Sequence, residues 1–533
     1  MTATIDFAEV RRHLFDRTEI ALLDVREEDP FAQEHPLWAA NLPLSRIELD
    51  AWRRIPRRDT LIVVYGEHTG IDLAPLAAER LSTLGYTQVR TLEGGLEGWR
   101  TAGGELFRDV NVPSKSFGEL VEHERHTPSL SAQEVKALID ARADVVVLDA
   151  RRFDEYQTMS IPGATSVPGA ELVLRARALG PDPKTQVVVN CAGRTRSIIG
   201  TQSLVNAGLP NPVAALRNGT IGWKLAGQKL DHGAARRATS PNDAQRAAAQ
   251  ADARRVAERA GVRRIALDVL PALELPGRTV YRFDVRTPEE YETGHIDGFT
   301  SAPGGQLVQE TDHHVPVRGA RIVLVDDDGV RAAMSASWLA QMGWDAYVVE
   351  TPPRSAFSVR GAAPSVHATT PDVAEITPAG LSGWLAESPT PVAVLDVTTS
   401  ANHVKQHIPG AWFAIRAQLQ DALKRIPAAP RYVLTCGSSL LARFAARDLR
   451  ALLDARASDA EVYVLAGGNA AWFAAGFPSE SGEQHLAVPR TDRYRRPYEG
   501  TDASAESMQA YLDWEFGLVA QLGRDGTHHF NVI

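Results

Sequence analysis

The chain has 533 residues, 44% of them hydrophobic and 23% charged, with a formal net charge of -9 and a pI near 6.0. Such a length and composition exclude a disordered chain and suggest several globular domains, while the acidic balance leaves no electrostatic footprint for nucleic acid. The N-terminal MTATIDFAEVRRHLFD carries acids early and lacks a long apolar core, so neither a secretory leader nor a membrane anchor is expected and a cytoplasmic location is the default.

Four segments share one plan at a period of roughly 110 to 135 residues, far above solenoid spacings and therefore a repeat of whole domains. Each has an apolar strand ending at an Asp and, some forty residues later, a second apolar strand that runs into a loop and a helix. The first segment, residues 1–112, contains LLDVR at Leu22 to Arg26 and then LIVVYGEHTG, which places Tyr65 at the head of the loop. Leu73, Leu76, Ala77, Arg80 and Leu81 predict a helix that Gly85 ends, and GLEGW (Gly95 to Trp99) closes the segment.

The second segment, residues 126–230, begins with a capping box of Ser131 and Glu134 and continues through VLDAR at Val147 to Arg151. Val187, Val188 and Val189 read as a buried parallel strand, and Ile198, Ile199, Leu204 and Val205 as the following helix. Between them lies the loop Cys191, Ala192, Gly193, Arg194, Thr195, Arg196. Backbone N–H groups converging at a helix N-terminus form an anion-binding nest, and with nearby cations they can lower a thiol from about 8.5 to roughly 3.5 to 7.5. Gly193 is expected to let the backbone turn, and Arg194 and Arg196 to supply the cations. The segment closes with RNGTIGW, Arg217 to Trp223.

Residues 231–262, rich in Ala and Arg, predict a solvated linker helix dividing the chain into a front and a rear pair. The third segment, residues 263–355, keeps RFDVR at Arg282 to Arg286 but has Asp326 at the cysteine position, followed by Asp327 and Asp328; a triple carboxylate repels an anionic donor. The fourth, residues 372–484, has VLDVT with Thr398 in place of the arginine, then Cys436 in a loop without an arginine until Arg443. Residues 485–533 form a tail with a docking helix whose apolar side carries Met508, Tyr511, Leu512, Trp514, Phe516, Leu518 and Val519. The two cysteines lie in equivalent loops of separate domains, too far apart to bridge, and read as reactive thiols in a reducing compartment.

The loop CAGRTR after VVVN, with its flanking Asp-x-Arg and Gly-rich tryptophan motifs, resembles the rhodanese family, sulfurtransferases that carry sulfur as a cysteine persulfide. The resemblance implies an α/β fold of four tandem rhodanese-like domains, each an open, mostly parallel sheet flanked by helices. It implies Cys191 as nucleophile and Ala192, Gly193, Arg194, Thr195 and Arg196 as the substrate-binding loop, with Asp149 and Arg151 close by or serving as a fold-holding ion pair. Cys436 is a second candidate, as nucleophile or as acceptor thiol. The first and third domains read as inert.

Loop length sets this pattern apart from the tyrosine phosphatases, where five residues separate the Cys from an Arg; here Arg196 comes one residue early and Ser197 takes that place. The reaction that the resemblance implies moves sulfane sulfur from thiosulfate or a similar donor to cyanide or a thiol. It needs no metal or organic cofactor, since the covalent sulfur is itself the carrier. The expected partners are a small-molecule sulfur donor and acceptor, without nucleic acid or membrane, and a homo-oligomer is left open. The alternatives are 3-mercaptopyruvate as donor, which suits two loop arginines less well than a dianion, and a persulfide carrier or scaffold whose inert domains bind a partner protein.

Overall fold

The computed structural model describes residues 3–68, 70–274, 277–387, 392–500 and 502–533. In the second repeat the β-branched strand Gln186–Asn190 lies at the centre of a five-stranded parallel sheet, with Val187, Val188 and Val189 fully buried. Val145–Asp149 flanks it on one side and Val213–Leu216 on the other, and Thr165–Ser166 and Ser129–Leu130 form the edges. Burial on both faces is why these strands read as continuous apolar runs rather than alternating ones. The third and fourth repeats build five-stranded parallel sheets in the same order, as the α/β reading requires.

The first repeat differs. Its sheet has six strands, the sixth being Val317–Arg318 of the third repeat, which runs antiparallel to Ile20–Asp24 with Val317 opposite Ala21. One continuous apolar core, including Leu22, Leu172 and Leu324, joins the first three repeats, and the fourth keeps cores of its own. A division into front and rear pairs is therefore not what the chain adopts.

The contacts of the Asp-x-Arg motif explain its recurrence. Asp149 and Arg151 are both buried; the guanidinium forks onto the carboxylate, with Nε to Oδ1 at 2.9 Å and Nη2 to Oδ2 at 2.7 Å, and Nη2 also donates to the Met159 carbonyl at 2.6 Å. Arg26 and Arg286 repeat this bond set onto Asp24 and Asp284, reaching the carbonyls of Glu34 and Gly294. In the fourth repeat the arginine is lost, and His403 Nδ1 meets Asp396 Oδ2 at 3.0 Å instead. The pair thus ties the strand end to the turn that follows it. Trp99, Trp223 and Trp472 are buried too, each donating its indole N–H to the carbonyl six residues on, which makes them packing anchors.

Strand register corrects one alignment. Asp149 lies opposite Asn190, the residue before Cys191, but Asp24 lies opposite Tyr65, so Gly66 rather than Tyr65 occupies the place of Cys191. The first repeat then offers no side chain at all there. The same register puts Asp326 and Cys436 in that place in the third and fourth repeats.

The linker helix Asp243–Arg259 keeps a solvated face carrying Arg254, Arg255 and Arg259, but its other face is packed. Its small residues Ala249, Ala253 and Ala257, with Val256, are buried against helices Leu172–Leu179 and Arg331–Gln341, and Asp252 pairs with Arg177. The tail helix is interrupted at Gly517, giving Ala505–Phe516 and Leu518–Asp525, both packed on Val112–Arg125. Phe516, expected on the docking face, is 55% exposed.

Removing Arg151 by R151A strands a buried carboxylate, and breaking a buried pair in this way costs about 3–5 kcal/mol. Denaturant titration of R151A against the wild type checks this, and an unchanged midpoint contradicts the anchoring role.

Candidate active site

Cys191 follows strand Gln186–Asn190, and helix Thr195–Ala207 begins four residues later. The loop is closed from the far side by helix Gly219–Leu225: the Thr220 N–H and hydroxyl donate to the Cys191 carbonyl at 2.9 and 3.0 Å, and the Ile221 N–H to the Ala192 carbonyl at 3.0 Å. This approach requires Gly219. Its φ is +53°, and a Cβ there would stand 2.3 Å from the Cys191 carbonyl oxygen. Gly468 has the same relation to Cys436, at φ +63° and 2.2 Å.

The thiol is 2% exposed and donates to Ser197 Oγ at 3.4 Å. Burial pushes it above the ordinary thiol range, against the Arg196 guanidinium and the hydroxyl and N–H of Ser197, while the Glu515 carboxyl adds to the rise. The expected standing thiolate is therefore not the resting state. The reason lies in what the loop arginines face. Arg194 forks onto Glu119, Nε to Oε1 at 2.7 Å and Nη2 to Oε2 at 2.8 Å, and also reaches Glu122 and, at 3.1 Å, Asn218 Oδ1. Arg196 forks onto Glu155 at 2.7 and 2.8 Å. Burial works to raise the Glu155 carboxyl, but Arg196, then Arg151 and Arg152, bring it down to about 2. Each cation arrives at the loop with an anion attached, which weakens the electrostatic case for a dianionic donor over 3-mercaptopyruvate.

The loop still presents backbone donors. In the third repeat the Asp326 carboxyl, at the cysteine's place, accepts the Gly329 N–H at 2.8 Å and the Ala332 N–H at 2.7 Å, although burial, then Asp328, push it up to about 8. Ala332 is the counterpart of Ser197, and Arg331 forks onto Glu290 as Arg196 does onto Glu155.

The other loop residues are structural in their contacts. Ala192 packs with Ile221, Met508, Tyr511 and Leu512, and Thr195 sits against Gly118, where a Cβ would come within 3.0 Å of its Cγ2. Gly193 does not adopt positive φ; its lack of a side chain makes room for the tail, since a Cβ would stand 3.2 Å from Tyr511 Cε1. Asp149 and Arg151 hold the adjoining strand through Asn190 Nδ2, which donates to Asp149 Oδ2 at 2.9 Å. Sequence reading missed Glu119, Glu155 and Glu515 and placed Tyr511 only on the docking face, because each reaches the loop from a distant segment; of the four, Glu155 alone carried a signal, its recurrence as Glu290 in the third repeat.

Cys436 is 5% exposed, but it forms part of the wall of a cavity of about 620 Å³ between the first, third and fourth repeats, together with Glu27, Arg46, Arg54 and Arg496. Burial raises the Glu27 carboxyl to about 7 even though Ser45 donates to it. Arg443 turns away to Glu375.

The rhodanese-like domain pattern matches residues 6–102, 131–226, 274–351 and 377–475, more than half of the chain. Over its full length the chain is similar to the crystal structure of thiosulfate sulfurtransferase from Pseudomonas aeruginosa, with 64% identity, a TM-score of 0.97 and 100% of each chain covered. It is also 33% identical over 91 residues to the HTH-type transcriptional regulator Rv0324 of Mycobacterium tuberculosis, a stretch covering 17% of this chain; it spans 39% of that relative's length. Among the described residues no helix is long and apolar enough to cross a membrane.

In the C436S variant, alkylation of Cys191 by iodoacetamide should rise with pH to a midpoint above that of a free thiol, about 8.5. A rate already at its plateau near neutral pH contradicts the burial argument.

Proposed function

The chain belongs to the rhodanese family, and from that premise we propose that it is a sulfurtransferase moving sulfane sulfur from thiosulfate to cyanide or a thiol through a persulfide on Cys191. The observation that carries the reading is the full-length likeness to a thiosulfate sulfurtransferase, with Cys191 at the end of a central strand facing the N–H of Ser197.

The thiol first loses its proton to solvent. The thiolate attacks the outer sulfur of thiosulfate; a new S–S bond forms to Cys191, the old S–S bond breaks, and sulfite leaves with the electron pair. The persulfide anion then faces the backbone N–H groups whose counterparts in the third repeat donate to the Asp326 carboxyl. Cyanide or a thiolate attacks the terminal sulfur, the S–S bond breaks, and thiocyanate or a new persulfide departs, regenerating the Cys191 thiolate. Because Cys191 is 2% exposed, access of the donor requires a local opening of the site, one wall of which is helix Ala505–Phe516 packed on Gly193. Donor choice rests on the relative's activity rather than on the arginines, which are already paired.

A second reading concerns Cys436. Its cavity has room for an acceptor larger than cyanide, which supports a role as acceptor thiol or carrier. The first and third repeats, with Gly66 and Asp326 in the working position, act as scaffold.

Intact-mass measurement after thiosulfate treatment should show a gain of one sulfur atom in the wild type and in C436S, and none in C191S. Turnover of thiosulfate with cyanide should vanish in C191S. Full turnover in C191S transfers the assignment to Cys436.

A further inference from the structure

The tail lies outside all four matched repeats, yet it finishes the site. Helix Ala505–Phe516, started by Ser504 whose Oγ accepts the Ser507 N–H at 3.1 Å, lays Met508, Tyr511 and Leu512 on Ala192 and Ile221. Its penultimate residue, Glu515, is fully buried. The Tyr511 hydroxyl donates to Glu515 Oε1 at 2.8 Å, while Oε2 has no partner among the described residues and stands 3.5 Å from where a Cβ on Gly193 would be. A buried polar oxygen left unpaired is costly, and this one faces the Cys191 loop.

We propose that Glu515 is a catalytic residue of the Cys191 site, its carboxylic acid donating a hydrogen bond through Oε2 to the anionic sulfur species held on that loop, a thiosulfate oxygen or the terminal sulfur of the persulfide. This rests on Cys191 being the sulfur carrier. The groups facing Glu515 decide its protonation. Burial, then Glu119 on helix Val112–Arg125, push it up to about 8, against Lys115, the Tyr511 hydroxyl and Arg194. Neither cation is free to neutralise it: Lys115 Nζ is held by Asp109 at 2.7 Å beneath the rings of Tyr498, Tyr511 and Trp514, and Arg194 by Glu119 and Glu122. At neutral pH the side chain is an uncharged donor, which meets an anion without repulsion. Above its pKa it becomes a carboxylate that repels the same anion. The proton stays on Glu515 throughout the sulfur transfer.

The test compares full-length wild type, E515Q and E515A by thiosulfate to cyanide turnover from about pH 6 to 10, with the mass of Cys191 after loading measured separately. Wild-type kcat/KM should fall above a pH of about 8. E515Q, which keeps a neutral donor of the same shape, should stay within about threefold of wild type at pH 7 and lose the alkaline fall, its rate continuing to rise as the thiol ionises. E515A should lose at least about tenfold at pH 7, the worth of a hydrogen bond to a charged group. Wild-type rates in E515A, or an alkaline fall that persists in E515Q, overturn the proposal; if E515A does not fold, the E515Q profile decides alone. Absence of sulfur on Cys191 in the wild type overturns the assignment of that cysteine instead, and is read from the mass without reference to Glu515.

Discussion

The loop after the central strand depends on a guanidinium forked onto a carboxylate beneath it. Arg196 on Glu155 and Arg331 on Glu290 are the same device in two repeats, one with a cysteine above it and the other with an aspartate. A bidentate pair fixes direction as well as distance, so the backbone amides of the helix start stay aimed at one point. The consequence for reactivity is less obvious. A guanidinium committed to its own carboxylate contributes little net charge, and burial then dominates the Cys191 thiol. The loop is organised to hold an anion that arrives or is formed there, rather than to keep one standing in the resting protein.

The two cysteines differ in how they meet their surroundings. Both sit at one topological point, with Gly219 or Gly468 drawn up against the preceding carbonyl. Cys191 is sealed by the tail, with Ser197, Arg196 and Glu515 around it, whereas Cys436 opens on a cavity walled by three repeats. The repeats without a thiol are not spare parts. The third lends Val317–Arg318 to the sheet of the first, and the linker helix buries its alanines between the second and third, so the active loop stands on a core that no single repeat completes. Burying the alanine face lets helix backbones approach closely, which is how so polar a segment docks on two repeats while its other face stays in water.

The chain's own pattern determined much of this. Period, β-branched runs and cap residues give the four repeats, their parallel sheets and the two cysteine loops, because strand, turn and helix are local consequences of adjacent residues. The recurrence of the tryptophans and of the Asp-x-Arg motif was legible too, but only the buried fork of Arg151 onto Asp149 decides between a place at the loop and a fold-holding pair. Register was not legible: only the pairing of Asp24 with Tyr65 shows that Gly66 holds the working place in the first repeat. Nor was the state of the thiol. Arg194 and Arg196 look like free cations in the sequence, and Glu119, Glu155 and Glu515 lie 36 to 324 residues away from Cys191 along the chain. Charge acts through space, so whether a loop arginine stabilises a sulfur or is already satisfied is decided only when tertiary folding brings those carboxylates to it and excludes the water that would have screened them.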